Sequence, residues 1–128
     1  MNSVVLDASA VIALLRHERG ADVVASVIPG ATISTVNVSE IAAWLSDAGA
    51  NEKKVQLTFD RLDLEYYAFD GEAAFAAAGL RTTTREKGLS LGDRACLALA
   101  KKLTFPALTA DRNWAELDIG VEVVLIRE

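Results

Sequence analysis

The stretch that most constrains the fold is Val4-Val5-Leu6-Asp7, followed at once by Ala8-Ser9-Ala10-Val11-Ile12. Three apolar residues, two of them β-branched, read as a short strand with no solvent-facing side. Strands that are apolar on both faces belong in the middle of parallel sheets covered by helices. Asp7 then stands at the carboxyl end of that strand and the amino end of the next helix. Open α/β sheets place their ligands at that edge. In a parallel sheet, any other carboxylate carried to a strand end arrives at the same edge.

The rest of the chain alternates in the way such a sheet requires. Ala8, Val11, Ile12 and Leu15 recur at helical spacing and give an apolar face, closed by Arg16-His17-Glu18-Arg19-Gly20. Residues 22–28 read as a second helix stopped by Pro29-Gly30, and residues 31–34 as a strand. Thr35-Val36-Asn37-Val38-Ser39-Glu40 leads into a helix that passes Trp44 and Leu45 and stops near Gly49. Asn51 reads as the N-cap of a fourth helix with Val55, Phe59 and Leu62 on one face. Residues 64–67 form a third strand, and Asp70 caps an alanine-rich helix that fades at Thr82-Thr83-Thr84. Ser90-Leu91-Gly92-Asp93 opens the most apolar helix of all. Two further strands, 105–109 and 121–125, are separated by a turn or short helix at Asp111-Trp114. At 128 residues this is one domain, residues 1–128, of α/β class. The expected architecture is a three-layer α/β/α sandwich around a mainly parallel sheet with right-handed crossovers.

Four acids occupy equivalent positions. Asp7 follows the first strand, Glu40 lies in the first turns after the second, Asp93 opens the buried helix, and Asp111 follows the fourth strand. Each has an ordinary role available, since carboxylates at helix starts satisfy free N–H groups and suit the helix dipole. Ser90 to Asp93 has capping-box spacing, and Asn37 to Glu40 reads the same way with Asn37 as the cap. Asp7, Glu40 and Asp111 are expected to converge at one edge, and Asp93 joins them if its helix starts there. So gathered, the acids repel: two carboxylates ~4 Å apart cost ~4 kcal/mol at an effective dielectric of about 20. Such a group is tolerated with a cation or with raised pKa values. Oxygen donors without His or Cys select a hard ion, Mg²⁺ or Mn²⁺, and that donor set suits phosphoryl chemistry.

Composition narrows the alternatives. The net charge of −5 excludes a generic basic nucleic-acid binder, so a nucleic-acid site must be local or work through cations. The single histidine, His17, argues against a zinc site and a serine–histidine triad. The lone Cys96 lies in an apolar helical run and reads as a small buried hydrophobe. The start MNSVVLDASAV carries no basic leader and no span long enough for a membrane, so a cytoplasmic location without membrane contact is expected.

The four acidic stretches, Val4 to Ala10, Ser34 to Glu40, Leu89 to Ala100 and Leu108 to Arg112, resemble in order and spacing the acidic blocks of the PIN-domain family, in particular the VapC-type toxin ribonucleases. The resemblance extends to Gly120-Val121-Glu122-Val123-Val124. It implies a Mg²⁺- or Mn²⁺-dependent endoribonuclease restrained by a cognate antitoxin. It carries the family's catalytic, metal-binding acids onto Asp7, Glu40, Asp93 and Asp111, and a neighbouring hydroxyl residue onto Thr109. Asp7 and Asp93 are the first choices for direct metal ligation. Arg94 and Arg112, each directly after a site acid, are candidate RNA contacts. The apolar run Ile41-Ala42-Ala43-Trp44-Leu45 and a hydrophobic content of 52% permit an interface. A homodimer is expected, with Trp44 in an antitoxin-binding groove.

Three other readings compete. A phosphorylation-receiver domain needs an acceptor aspartate after the third strand, where Asp70 stands, and a lysine after the last, where Val123-Val124-Leu125-Ile126-Arg127 has none. A phosphatase of the haloacid dehalogenase kind needs a second acid at the position of Ser9. A non-catalytic α/β binding module is separated from the enzyme by metal-dependent RNA cleavage.

Overall fold

The computed structural model describes residues 3–128; Met1 and Asn2, the start of the stretch read above as lacking a leader, lie outside the described residues. Five strands form one sheet: β1 (Val5–Leu6), β2 (Thr32–Ser34), β3 (Glu65–Tyr67), β4 (Ala107–Thr109) and β5 (Val123–Leu125). Their order is β3-β2-β1-β4-β5, and every pairing is parallel. The helices are α1 (Ala8–Leu15), α2 (Ala21–Val27), α3 (Thr35–Asp47), α4 (Glu52–Leu62), α5 (Gly71–Thr83) and α6 (Leu91–Leu103), with 3₁₀ turns at Arg85–Lys87 and Arg112–Glu116.

The central position expected for the first strand is observed. Val5 and Leu6 are fully buried between β2 and β4. The chain steps outward from β1 to β2 and β3, then returns to β4 on the other side of β1 and steps outward again. The gap at the carboxyl ends of β1 and β4 is therefore the point where strand order reverses, the usual ligand crevice of an open parallel sheet.

Alternation along the strands divides the core in two. Leu6, Ile33 and Leu108 pack with residues of α1, α2, α3 and α4, among them Val11, Val24, Ile41 and Phe59. Val5 and Ala107 face the other way and pack with Ala77 and Leu80 of α5, Cys96 and Leu97 of α6, and Trp114. Both faces are covered, which gives the three-layer α/β/α arrangement. Leu6 stands opposite Leu108 in the β1–β4 register, so Asp7 and Thr109 are the next pair. Parity with Val5 and Ala107 turns both toward α6.

Two local expectations are corrected. The face of α1 buried most completely is Ala10, Val11 and Ala13, rather than Ala8, Val11, Ile12 and Leu15. The sequence Ala8-Ser9-Ala10-Val11-Ile12-Ala13-Leu14-Leu15 is apolar almost all round, and Ala8, Ile12 and Leu15 still pack partly buried on the same core. In α3 the cap is Ser34, whose side chain accepts from the Val36 N–H at 3.3 Å. The backbone of Ser34 is extended (φ −73°, ψ 143°), so the last residue of β2 is itself the cap and the helix starts at once. Asn37, expected to be the cap, lies inside the first turn and is buried. Among the described residues no helix is long and apolar enough to cross a membrane.

Candidate active site

Asp7 is the N-cap of α1 and is 3% exposed. Its Oδ1 accepts from the Ala10 N–H at 2.9 Å. The Ser9 hydroxyl donates to the same carboxylate, at 2.8 Å from Oδ1 and 3.0 Å from Oδ2. The Thr109 hydroxyl donates to Oδ2 at 2.7 Å. The two hydroxyl oxygens in turn accept backbone N–H groups: Ser9 from Ala110 and Thr109 from Asp111, each at 3.0 Å. With both hydroxyl protons committed to Asp7, Ser9 and Thr109 touch at 3.3 Å without a proton to share. Burial pushes the Asp7 carboxyl up to about 6, and the charge of Asp93 adds to the rise; the hydrogen bonds from Thr109, Ala10 and Ser9 oppose it. Ser9 was not singled out from sequence as a site residue. Its signal was the Asp-x-Ser spacing at a helix start, where a hydroxyl two residues on reaches back to the cap.

Glu40 and Asp93 both lie where the starts of α3 and α6 touch. Asn37, three residues before Glu40 on the same face of α3, donates through Nδ2 to Glu40 Oε1 at 2.8 Å and to the Gly92 carbonyl at 3.1 Å. Gly92 leaves room for the Glu40 carboxylate, which any Cβ at that position would overlap. One residue on, Asp93 completes the expected capping box: Ser90 Oγ accepts from the Asp93 N–H at 3.1 Å and Asp93 Oδ2 accepts from the Ser90 N–H at 2.9 Å. The α6 helix thus starts at the edge where Asp7 lies. Cys96, one turn further along α6 and fully buried, registers the convergence. Its thiol is pushed well up, first by burial and then by the charges of Asp7, Asp93 and Glu40.

Asp111 stands apart from that trio. It is exposed, it caps the 3₁₀ turn at Arg112–Glu116 by accepting from the Asn113 N–H at 2.9 Å, and it is not among the charges that act on Asp7 or Cys96. Its tie to the site is its own N–H on Thr109. Arg94 is half-buried and turned toward α5, where Nη1 donates to the Ala77 carbonyl at 3.1 Å. Arg112 is exposed at the same strand end as Asp111. Trp44 is half-buried, one turn beyond Glu40 on α3.

The donors at this edge are carboxylate and hydroxyl oxygens, which suit a hard divalent cation. A cation would also offset the burial that disfavours the charged form of Asp7, so donor chemistry and charge at this edge are compatible with a hard divalent ion. Among the described residues no three His, Cys, Asp or Glu side chains are gathered closely enough to hold an ion between them. Glu40 Oε1 and Asp93 Oδ2 are each engaged within their own helix start.

A family model for the PIN domain matches residues 4–120. No curated protein matches the chain. Among solved structures, a toxin–antitoxin complex from Klebsiella pneumoniae aligns with a TM-score of 0.77 at 22% identity, over 98% of this chain and 99% of that one. DNA-bound VapBC from Salmonella typhimurium aligns at 0.76 and 17% identity, over 98% and 99% of the two chains. VapC20 from Mycobacterium tuberculosis, a sarcin-ricin loop cleaving toxin, aligns at 0.73 and 20% identity, over 94% and 99%. The five-stranded parallel sheet, the order in which its strands deliver their acids, and the family match over nearly the whole length agree: the chain belongs to the PIN-domain family.

Proposed function

We propose that this chain is the toxin of a toxin–antitoxin pair, an endoribonuclease that needs Mg²⁺ or Mn²⁺ to hydrolyse RNA phosphodiester bonds. The observation that carries the reading is the buried Asp7 at the β1–β4 crevice, with Asp93 acting on it through space. A site evolved only to cap α1 gains nothing from a second carboxylate nearby. The toxin–antitoxin proteins that share the fold support the pairing with an antitoxin, and the sarcin-ricin loop cleaving toxin supports RNA as substrate.

In this reading Asp7 and Asp93 hold the cation, with Glu40 and Asp111 completing the acidic pocket. When bound, the ion supplies neutralising charge to the phosphate and makes water a better nucleophile. Thr109 and Ser9 fix the Asp7 carboxylate by donating to it. Among the described residues, the hydroxyl and thiol groups nearest Asp7 are not free to attack. Both hydroxyl protons are committed to Asp7, and the Cys96 thiol is buried and held protonated. Water therefore attacks directly, with no covalent protein intermediate. Arg112, and Arg94 if it leaves Ala77, contact RNA phosphates beside the site. The protein acts in the cytoplasm as a homodimer, and Trp44 contributes to the antitoxin groove.

The test is cleavage of RNA by repurified protein with Mg²⁺, Mn²⁺, Ca²⁺ or EDTA. Cleavage with Mg²⁺ or Mn²⁺, little with Ca²⁺ and none in EDTA is expected, since the looser coordination of Ca²⁺ positions water and phosphate poorly. Undiminished cleavage in EDTA overturns the metal requirement. Light scattering of a strictly monomeric protein at high concentration counts against the dimer, and unchanged antitoxin affinity in Trp44→Ala removes Trp44 from the groove.

A further inference from the structure

We infer that Asn37 is a positioning residue for Glu40: its amide clamps the Glu40 carboxylate against the start of α6, on a seat that exists because residue 92 is glycine. The inference rests on the proposed metal-dependent activity, since it concerns an acid of that site, and it reaches a residue that lies outside the acidic set.

Three observations meet at Asn37. The side chain is 1% exposed, and a buried amide is held by the bonds it makes. Both donor positions of Nδ2 are used, one on Glu40 Oε1 at 2.8 Å and one on the Gly92 carbonyl at 3.1 Å, while Oδ1 is buried with no donor among the described residues. Rotating the amide would set its oxygen against two acceptors, so the two oxygens it faces fix its orientation. Asn37 is thus buried as a pair of donors aimed at a carboxylate and at the next helix, with its acceptor left over. A residue kept for packing alone would be better served by an apolar side chain, because the buried oxygen adds only a penalty.

Gly92 is the other half of the device. A Cβ there would overlap both Glu40 oxygens and the carboxyl carbon, and the backbone needs no left-handed conformation at this position. The requirement for glycine is one of close approach rather than of conformation. Glu40 is exposed on α3 and would otherwise sample many rotamers. Asn37 from below and Gly92 from the side reduce that freedom and point the acid at the start of α6, beside Asp93.

The test uses the purified protein with Mn²⁺ as probe. Mn²⁺ affinity is measured by titration calorimetry alongside RNA cleavage and thermal melts. Loss of a partner that orients a ligand typically weakens metal affinity or activity about 10–100-fold. Asn37→Ala and Gly92→Ala are each expected to weaken Mn²⁺ binding within that range, and to lower kcat while leaving KM for RNA nearly unchanged. The decisive readout is the double variant. In a Glu40→Gln background, Asn37→Ala should add less than about a twofold loss of Mn²⁺ affinity, because both changes act on one carboxylate. Losses that multiply in full overturn the inference, as does parent-like Mn²⁺ affinity in a folded Asn37→Ala. Should Asn37→Ala fail to fold, Gly92→Ala carries the test, and unchanged affinity there overturns the inference. A parent that cleaves RNA with metal while both variants match it defeats this inference alone. A parent that binds Mn²⁺, loses it in both variants and cleaves no RNA defeats the proposed activity and leaves the inference standing. A parent that neither binds Mn²⁺ nor cleaves defeats both.

Discussion

The Thr109 hydroxyl donates to Asp7 Oδ2 at 2.7 Å, tying the end of β4 to the end of β1 between residues 102 positions apart in the chain. The same oxygen accepts from the Asp111 N–H at 3.0 Å, so it relays a backbone dipole to a buried carboxylate. Ser9 repeats the relay from the Ala110 N–H. Asp7 is therefore fixed by two strand ends and one helix start, even while burial favours its protonated form.

Thr109→Val keeps the shape of the side chain and deletes the relay. It removes a donor from Asp7 and a partner from the Asp111 N–H. A buried polar group left unsatisfied costs about 1–3 kcal/mol, and urea unfolding in EDTA should show a loss of that size. Thr109→Ser, which keeps the hydroxyl, should recover most of it. A valine variant as stable as the parent would mean that the relay contributes nothing.

Asp7 also sets a pH dependence for the metal-free protein. Its carboxyl is raised from 3.8 to about 6 in the folded state, so the native protein holds this proton more tightly than the unfolded chain does. At low pH both states are protonated and Asp7 imposes no penalty. As pH rises from 3.8 to about 6, the unfolded chain ionises first and native stability falls. A difference of about two pH units is worth about 3 kcal/mol, fully lost once the folded carboxyl has ionised. Asp7→Asn lacks this term. In EDTA, the stability of the variant relative to the parent should grow by up to that amount between about pH 4 and about pH 8. A constant gap across that range would show that Asp7 ionises normally.

Where the structure places these residues was partly legible in the sequence, and the misreadings have physical causes. Asp7 was legible because a buried strand followed by an acid admits few placements. Thr109 followed from the block around Asp111, and strand parity explains why its hydroxyl faces Asp7. Ser90 to Asp93 was legible as a capping box because that motif is local. Asn37 was misread for the opposite reason. Its partner, the Gly92 carbonyl, lies 55 positions away, so no local pattern distinguished a clamp from a cap. Asp111 was expected in the acidic set from the resemblance, but its Oδ1 accepts from the Asn113 N–H, an engagement set by the turn after β4. Arg94 could not be oriented from sequence, because facing Ala77 depends on how α5 packs against α6.

The two arginines make separable predictions. Arg112 is exposed, so Arg112→Gln should leave the melting temperature unchanged. If Arg112 contacts a phosphate, the change should raise KM for RNA and reduce the salt slope of binding by about one. Arg94→Gln removes the bond to the Ala77 carbonyl and should lower stability by about 1 kcal/mol, measured by urea unfolding. An Arg112→Gln protein with parental KM and salt slope would exclude that residue from the RNA path.

Asp93 holds two roles that substitutions can pull apart. Its Oδ2 closes the capping box with the Ser90 N–H at 2.9 Å, and its charge acts on Asp7 and on Cys96. Ser90→Ala breaks the box without altering any charge. It should cost about 0.5–2 kcal/mol of stability and leave RNA cleavage close to the parent's. Asp93→Asn keeps the shape and an acceptor oxygen but removes the charge. As a cap it forfeits about 0.3–1 kcal/mol of charge–dipole interaction. As a member of the acidic trio it relieves Asp7, and the relief opposes that loss. In EDTA it should therefore melt at or above the parent's temperature and cleave no RNA when Mg²⁺ is restored. Mg²⁺ should raise the melting temperature of the parent more than that of the variant, because an ion that binds only the folded state stabilises it by mass action. An Asp93→Asn protein that melts lower in EDTA and still cleaves would leave Asp93 as the cap of α6 and nothing more. The acidic site would then have to be built around Asp7, Glu40 and Asp111.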